Sequence, residues 1–143
     1  MNKESLYKNI RAQGGRVTKI RRELVRILTN LGCLISQADI LIYLKEKNMF
    51  PNRSTVYREL RFLSENGIVI KNTIAGVNYY ETPHDHHHHL VCLGCNSINK
   101  VEMPSHLGYQ EKRIAKENKF YIRNHSLEFY GYCFSCQPRF ITI

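Results

Sequence analysis

Residues 84 to 95 read His-Asp-His-His-His-His-Leu-Val-Cys-Leu-Gly-Cys and place five imidazoles and two thiols within twelve positions. A second Cys-x-x-Cys pair follows after 37 intervening residues. Zinc accepts four thiolates at about 2.3 Å each, which closes a tetrahedral structural site. The sequence therefore predicts one structural Zn²⁺ ion held by Cys92, Cys95, Cys133 and Cys136.

Two other interpretations of these cysteines stay open. Buried thiols without a metal behave as small hydrophobic residues, and a disulfide is the remaining alternative. We find no signal peptide and no long apolar run in the sequence, which favours a reducing cytoplasm over an oxidising compartment. We therefore expect a cytoplasmic protein that does not enter a membrane, with Cys33 standing apart from the other cysteines.

The histidine run predicts two further candidate metal sites, one on each face of the segment. If this run is extended, alternate side chains point to opposite faces, so His87 and His89 share one face while His86 and His88 share the other. Neutral imidazole binds zinc, iron, nickel or copper, and a nearby carboxylate such as Glu81 favours a harder ion. A solvated polar loop with incidental histidines is the alternative.

Charge is divided unequally along the chain. Residues 1 to 72 hold 14 Lys and Arg against 6 Asp and Glu, whereas residues 73 to 143 hold 7 against 6. Such an asymmetry indicates a polyanionic partner for the first half and a different task for the second. A basic face that is merely solvated is the alternative.

The first half predicts a winged helix-turn-helix domain over residues 1–81. Helical spacing of apolar residues predicts a helix over 3–12, another that Thr18 caps, and a third that Ser36 caps. Residues 68–81 then predict a β-hairpin around a central glycine, which would form the wing. We expect a hinge at residues 82–84.

A fourth helix, capped by Asn52 or Ser54, lies between these helices and the hairpin. Its buried stripe is Val56, Leu60 and Leu63. The opposite face carries a tyrosine and three arginines: Arg53, Tyr57, Arg58 and Arg61. Arginine binds phosphate or guanine, and tyrosine contacts phosphates or thymine methyl groups, so this face predicts a recognition helix. An amphipathic helix with a solvated face is the alternative.

Residues 85–143 predict a small α/β domain, which makes the whole chain an α+β protein. The expected elements are a strand over 86–93, a strand over 97–102, a helix over about 106–118 and a last strand over 119–132. That last strand ends at the second Cys-x-x-Cys, so the zinc ion would join its end to the end of the first strand.

Taken together, these motifs resemble the ferric uptake regulator family of bacterial metal-responsive repressors. Ser54-Thr55-Val56-Tyr57-Arg58-Glu59-Leu60 is similar to the family's A-T-V-Y-R-x-L helix. The segment from His86 to Cys95 and the sequence Asn124-His125-Ser126-Leu127 also match in order and spacing. The resemblance extends from Gly15 to Cys136.

This resemblance implies a homodimer that binds a palindromic double-stranded DNA operator when a second divalent ion, Fe²⁺ or Zn²⁺, is present. Together with the pattern of the fourth helix, the resemblance indicates that the following residues contact DNA: Arg16, Arg53, Ser54, Thr55, Tyr57, Arg58 and Arg61. It implies a sensing site that includes Glu81, His87 and His89, with Cys33 as a candidate ligand. A further candidate site would use His86, His88 and His125.

Four positions depart from the family pattern, among them His88, which stands where an aspartate between the two sensing histidines is usual. Leu34 stands where a sensing histidine is usual, Lys100 replaces a carboxylate after the first Cys-x-x-Cys, and Gly108 falls near the position of a helix glutamate. The ligand set is softer and poorer in carboxylates, which favours zinc sensing over sensing of iron alone.

A zinc-dependent hydrolase or a metal-storage protein would be a different class. His87, His89 and Glu81 could hold an open zinc that activates water, and the cluster from His86 to His89 could store metal. The sequence lacks the H-E-x-x-H motif, and the basic first half favours a regulator that is not an enzyme.

Overall fold

The computed structural model describes residues 2–83, 87–103, 107–122 and 125–137, and the chain divides into two units, residues 1–84 and 85–143. Within the described ranges, no helix is long and apolar enough to cross a bilayer. The described helices of the first unit are α1 (Lys3–Ala12), α2 (Lys19–Leu31), α3 (Gln37–Glu46) and α4 (Arg53–Glu65). Its strands are β1 (Ile35–Ser36), β2 (Ile70–Ile74) and β3 (Val77–Glu81).

Side-chain caps start all four of these helices, and at α1 the Ser5 amide donates to Oδ1 of Asn2 at 2.9 Å. Thr18 caps α2, Ser36 caps α3 and Asn52 caps α4, and each side-chain oxygen accepts a hydrogen bond from the backbone N–H three residues on, at 3.2, 3.1 and 2.8 Å. Gly32 ends α2 in the left-handed conformation with φ of 61°, where glycine carries no Cβ penalty. The predicted caps at Thr18 and Ser36 are confirmed, and Asn52 rather than Ser54 caps α4.

The first unit has one apolar core, to which the helices and the sheet both contribute. Fully buried members include Leu24, Leu28, Leu44, Leu60 and Tyr80. The sheet order is β1-β3-β2, and both pairings are antiparallel. The hairpin from β2 to β3 confirms the predicted wing, while the two-residue strand β1 had no pattern long enough to predict it.

The second unit contains a sheet in the order β5-β4-β6 and one described helix, α5 (Leu107–Glu117). Its strands are β4 (His88–Cys92), β5 (Ile98–Val101) and β6 (Glu128–Gly131). Strands β4 and β5 are antiparallel, whereas β4 and β6 are parallel. The central strand is therefore the one that follows the histidine run and ends at the first cysteine.

The predicted strand over 119–132 is wrong in extent. Only Glu128–Gly131 forms β6, and residues 120–122 and 125–127 have no regular structure. The amide of Phe120 donates to the Ala115 carbonyl at 2.9 Å, which closes the end of α5. Because a parallel partner of β4 must be reached by a crossover connection, part of this segment serves as a connection and not as a strand.

Candidate metal centres and nucleic-acid interface

The four predicted cysteines converge at one end of the sheet. Sulfur atoms of Cys92, Cys95, Cys133 and Cys136 all lie within 4.8 Å of one another. Sγ of Cys95 is 3.8 Å from Sγ of Cys133, which is the edge of a tetrahedron whose corners lie about 2.3 Å from its centre. All four are free thiols, so the disulfide alternative is wrong, and the donor set fits a zinc ion.

Backbone amides prepare part of this cluster for a cation. The Cys133 amide donates to Sγ of Cys92 at 3.3 Å, and with the Cys95 and Gly94 amides it lowers the pKa of Cys92 to about 6. Hydrogen bonding with the neighbouring thiols, first with Cys133, raises the pKa of Cys136. Since the thiolate is the metal ligand, a dication in the cluster favours ionisation of all four.

Gly94 supplies space that the cluster needs. A Cβ atom built on Gly94 would lie 2.8 Å from Cβ of Cys136 and 2.9 Å from its sulfur. The φ angle of Gly94 is not in the left-handed region. Glycine is therefore required at this position by the close approach of Cys136 and not by the backbone conformation. The two Cys-x-x-Cys knuckles therefore meet directly, with the glycine of the first against the last cysteine of the second.

The histidines divide between two faces of β4, as alternation predicts. The rings of His87 and His89 meet edge to face with centroids 4.8 Å apart. The ring of His88 lies instead near His125, with centroids 5.7 Å apart. His88 and His89 are buried, which argues against a solvated loop, while His86 lies outside the described residues.

One carboxylate near the histidines was missed by sequence reasoning. Glu111 on α5 contacts Nδ1 of His125 through its side-chain oxygen. It lies three residues after Gly108, and positions three apart share a helix face. The helix carboxylate that the family resemblance expected near Gly108 is therefore present one turn further on, and only the fold identifies which carboxylate reaches the histidine.

The remaining candidate ligands have different surroundings. In the first unit, Glu81 is buried and accepts a hydrogen bond from the Asn72 amide side chain at 3.2 Å, and Cys33 is half-buried.

In the second unit, Lys100 stands opposite His89 in the β4–β5 register. Directly opposite residues of an antiparallel pair share a face, so Lys100 lies on the face of His89, where its ammonium pairs with Glu102 at 3.1 Å.

Helix α4 presents a polar face with exposed basic residues. Arg53, Ser54, Tyr57, Arg58 and Arg61 are exposed, and Thr55 is half-buried. The hydroxyls of Ser54 and Thr55 donate to Oδ1 of the Asn52 cap, at 2.8 and 2.7 Å.

Two arginines of the predicted DNA-facing set have different surroundings. Arg61 pairs with Glu65 at 2.7 Å, and Arg16 is exposed ahead of α2. A winged-helix unit with this basic face, followed by a unit with a four-thiolate centre, defines a metal-dependent DNA-binding regulator.

Comparison with known proteins agrees with this class. The model of the ferric uptake regulator family matches residues 12–130. The ferric uptake regulation protein of Bacillus subtilis (strain 168) is 32% identical over 142 residues, which cover 95% of each chain. The structure of the Vibrio cholerae ferric uptake regulator is similar with a TM-score of 0.72 at 28% identity, covering 89% of this chain and 98% of that one. A zinc uptake regulator solved with zinc and DNA gives a TM-score of 0.60 at 25% identity, covering 93% and 91%.

The chain belongs to the ferric uptake regulator family. Members of this family are metal-responsive regulators of transcription and not enzymes, and they bind DNA operators as dimers. They hold a structural zinc ion and a regulatory iron, manganese or zinc ion. The resemblance inferred from the sequence is confirmed.

Proposed function

We propose that this chain is a repressor whose operator binding is gated by an exchangeable divalent ion held at His87 and His89. The observation that carries the proposal is the convergence of these two rings, 4.8 Å apart, at the start of β4. The same strand ends at Cys92, in the zinc cluster. Structural zinc fixes one end of the strand and thereby helps to hold the histidines at the other.

Glu81 and Cys33 are further candidate ligands of the regulatory ion. A buried carboxylate and a thiol would complete a mixed set with the two imidazoles, which suits Zn²⁺ and remains compatible with Fe²⁺. The cross-strand position of Lys100 sets a cation on the face of His89, which opposes metal binding there, and the ion pair with Glu102 at 3.1 Å offsets part of that charge. Zn²⁺ or Fe²⁺ binding should therefore tighten when Lys100 becomes a carboxylate.

The first unit, with a domain boundary at residues 82–84, is assigned to DNA and the second to dimerisation and metal binding. Contacts to the operator come from Arg16, Arg53, Ser54, Thr55, Tyr57, Arg58 and Arg61. Among these, Ser54 and Thr55 also serve the helix cap, so their substitution would change stability and affinity together. Acting on operator DNA, the dimer works in the cytoplasm.

Metal and operator are coupled because both favour the same conformation, so each raises the affinity of the other. Moving the population from about 1:99 to 99:1 needs about 5.5 kcal/mol of preference by the ion. A modest ligand set with a nearby lysine would give a smaller shift and a graded response.

A second ion is proposed at His88, Glu111 and His125, with His86 as a further ligand. Its support is the contact between Glu111 and His125 and the approach of His88 to the same ring. A carboxylate with two or more imidazoles suits Fe²⁺ and Zn²⁺. This site lies on the opposite face of β4 from the pair of His87 and His89.

The test is DNA binding by protein that keeps its cysteine-bound zinc but has lost its exchangeable metal. A duplex is selected from a random-sequence pool by the native protein with each metal, and its affinity is then titrated with Zn(II), Fe(II) and Mn(II). We expect tightening with Zn(II) or Fe(II) that the double variant His87→Ala/His89→Ala abolishes.

Two variants serve as matched comparisons for this test. His125→Ala also removes an imidazole, yet it should leave most of the metal-dependent tightening of DNA binding. His125 lies near His88, on the face of β4 opposite to His87 and His89. Lys100→Glu should shift the response to lower metal concentration. Affinity that stays constant under all metals, or a response that survives in the double variant, would refute gating at His87 and His89.

A further inference from the structure

Arg21 is a buried arginine of α2 that joins three separate segments of the first unit. Arg21 as a whole is 8% exposed. Nε donates to Oε2 of Glu59 on α4 at 2.6 Å, and Nη1 donates to the Arg16 carbonyl at 2.9 Å. The guanidinium carbon lies 3.9 Å from the centroid of the Phe62 ring. We call Arg21, Glu59, Phe62 and the Gly15–Arg16 backbone the Arg21 cluster.

Gly15 allows the backbone to lie against this cluster. A Cβ atom on Gly15 would be 2.5 Å from Cζ of Phe62 and 2.8 Å from Nη1 of Arg21. The Gly15 amide donates to the Ile10 carbonyl at 2.9 Å. The segment that carries Arg16 is therefore held by backbone hydrogen bonding on one side and by the guanidinium on the other.

The cluster includes the neighbours in sequence of both exposed groups assigned to DNA. Glu59 directly follows Tyr57 and Arg58 on α4, and both of these side chains are exposed. The side chain of Arg16 is also exposed, while its carbonyl accepts from Arg21. One guanidinium thus fixes where Arg16 stands relative to the outward face of the recognition helix.

A charged pair is an unusual choice if stability alone were needed here. Side chains of Arg21 and Glu59 are 10% and 20% exposed, and well-packed apolar residues of similar volume replace such buried pairs at little or no cost in stability. Apolar side chains cannot form the two hydrogen bonds of this guanidinium. Arg21 donates both to the Glu59 carboxylate and to the Arg16 carbonyl, and the planar group fixes the directions of the two bonds.

We propose that Arg21 is a positioning residue for DNA recognition, which with Glu59 and Phe62 holds Arg16 in register with the outward face of α4. This inference rests on the proposed DNA-binding function. Arg21 itself is buried and contacts no DNA. Its pairing also neutralises Glu59, whose carboxylate would otherwise oppose phosphates beside Tyr57 and Arg58.

The test is a cycle of variants measured on the duplex selected by the native protein, with the metal that supports binding. Arg16→Ala should weaken binding of the native protein by about tenfold and make the salt dependence shallower. In the apolar variant Arg21→Met/Glu59→Leu, Arg16→Ala should have less than about a twofold further effect. Arg21→Lys, which keeps the charge but loses the fork, should behave like the apolar variant.

Stability is measured on the same proteins by thermal unfolding. The apolar variant is expected to unfold near the native temperature and still to bind DNA less tightly, which a purely structural role would not produce. If Arg16→Ala costs as much in the apolar variant as in the native protein, Arg21 does not position Arg16. If the native protein enriches no duplex from the random-sequence pool, the proposed DNA-binding function is rejected. This outcome is distinguishable from an unchanged effect of Arg16→Ala, which rejects only the role of Arg21.

Discussion

At the scale of single residues, close contacts explain why glycine is required at two positions that the sequence alone would assign to turns. The sequence suggests that Gly94 lets the first knuckle bend, whereas the structure assigns it the room occupied by Cys136. Gly15 has the same role beside Phe62 and Arg21. Phe62 and Cys136 are both distant in sequence from the glycine that they approach, so only the folded chain reveals the requirement.

Replacing Gly94 with alanine should loosen the zinc site. The added methyl would stand under 3 Å from the Cβ and sulfur of Cys136, and zinc sites tolerate ligand distances only within about 0.2 Å. We expect zinc affinity to fall by about tenfold or more, because second-sphere changes around metal ligands have effects of that size. Competition with a chromogenic chelator measures it.

The control for this variant is Gly108→Ala in α5. A Cβ atom there meets no atom within 4 Å, so zinc affinity should stay at the native value. Equal zinc affinity in Gly94→Ala and in the native protein would contradict the close approach of the two knuckles.

At the scale of elements, the wing contains a strained turn. Ala75 and Gly76 both have positive φ, 49° and 79°, and two-residue hairpin turns of this kind prefer asparagine followed by glycine. Alanine in the left-handed region costs about 1–2 kcal/mol. We expect Ala75→Asn to stabilise the first unit by about 1 kcal/mol, measured by urea unfolding followed by circular dichroism.

The adjacent substitution provides a matched comparison of opposite sign. Gly76→Ala forces a Cβ into the same left-handed conformation and should destabilise the unit by about 1 kcal/mol. Stability changes of the same sign at both positions would argue against this turn.

How far elements are predictable depends on how local their determinants are. Caps at Thr18 and Ser36 bond to amides three residues away, so the sequence alone locates them. Strand β6 pairs in parallel with β4, which lies far back along the chain, and its length depends on that partner.

The candidate sites follow the same division between local and distant determinants. Cys-x-x-Cys pairs and alternating histidines are local patterns, and both were predictable. The contact between Glu111 and His125 depends on how α5 packs, and so does the choice of Glu111 over Glu117, the other carboxylate of that helix. Likewise, no periodic pattern identifies Glu59 as the partner of Arg21, because the two stand 38 residues apart.

At the scale of the whole molecule, the two units are stabilised differently. The apolar core cluster lies within the first unit, while the buried apolar residues of the described second unit are Val91 and Cys92. Large exposed side chains of the second unit include Leu90, Tyr109 and Tyr130. The second unit therefore depends more on its metal and on burial by the dimer partner.

Removal of the cysteine-bound zinc should affect the two units unequally. Zinc binding to a structural site contributes directly to folding free energy. We expect amides of β4 and β6 to lose protection from hydrogen exchange when a strong chelator removes the ion, while amides of α2 and α4 keep theirs. Re-addition of Zn(II) is the control, and an equal rise of exchange in both units would contradict this division of stability.

The parallel pairing of β4 with β6 also sets a schedule for biosynthesis. The ribosome adds Cys136 44 residues after Cys92, an interval of roughly 2–9 s at about 5–20 residues per second. The first unit can fold during that interval, whereas the nascent second unit has only half of its zinc ligands. The second unit can therefore bind zinc and fold only when translation is nearly complete. If the ion is scarce at that time, the chain is left with a folded first unit and an unfolded second unit that proteases can cleave.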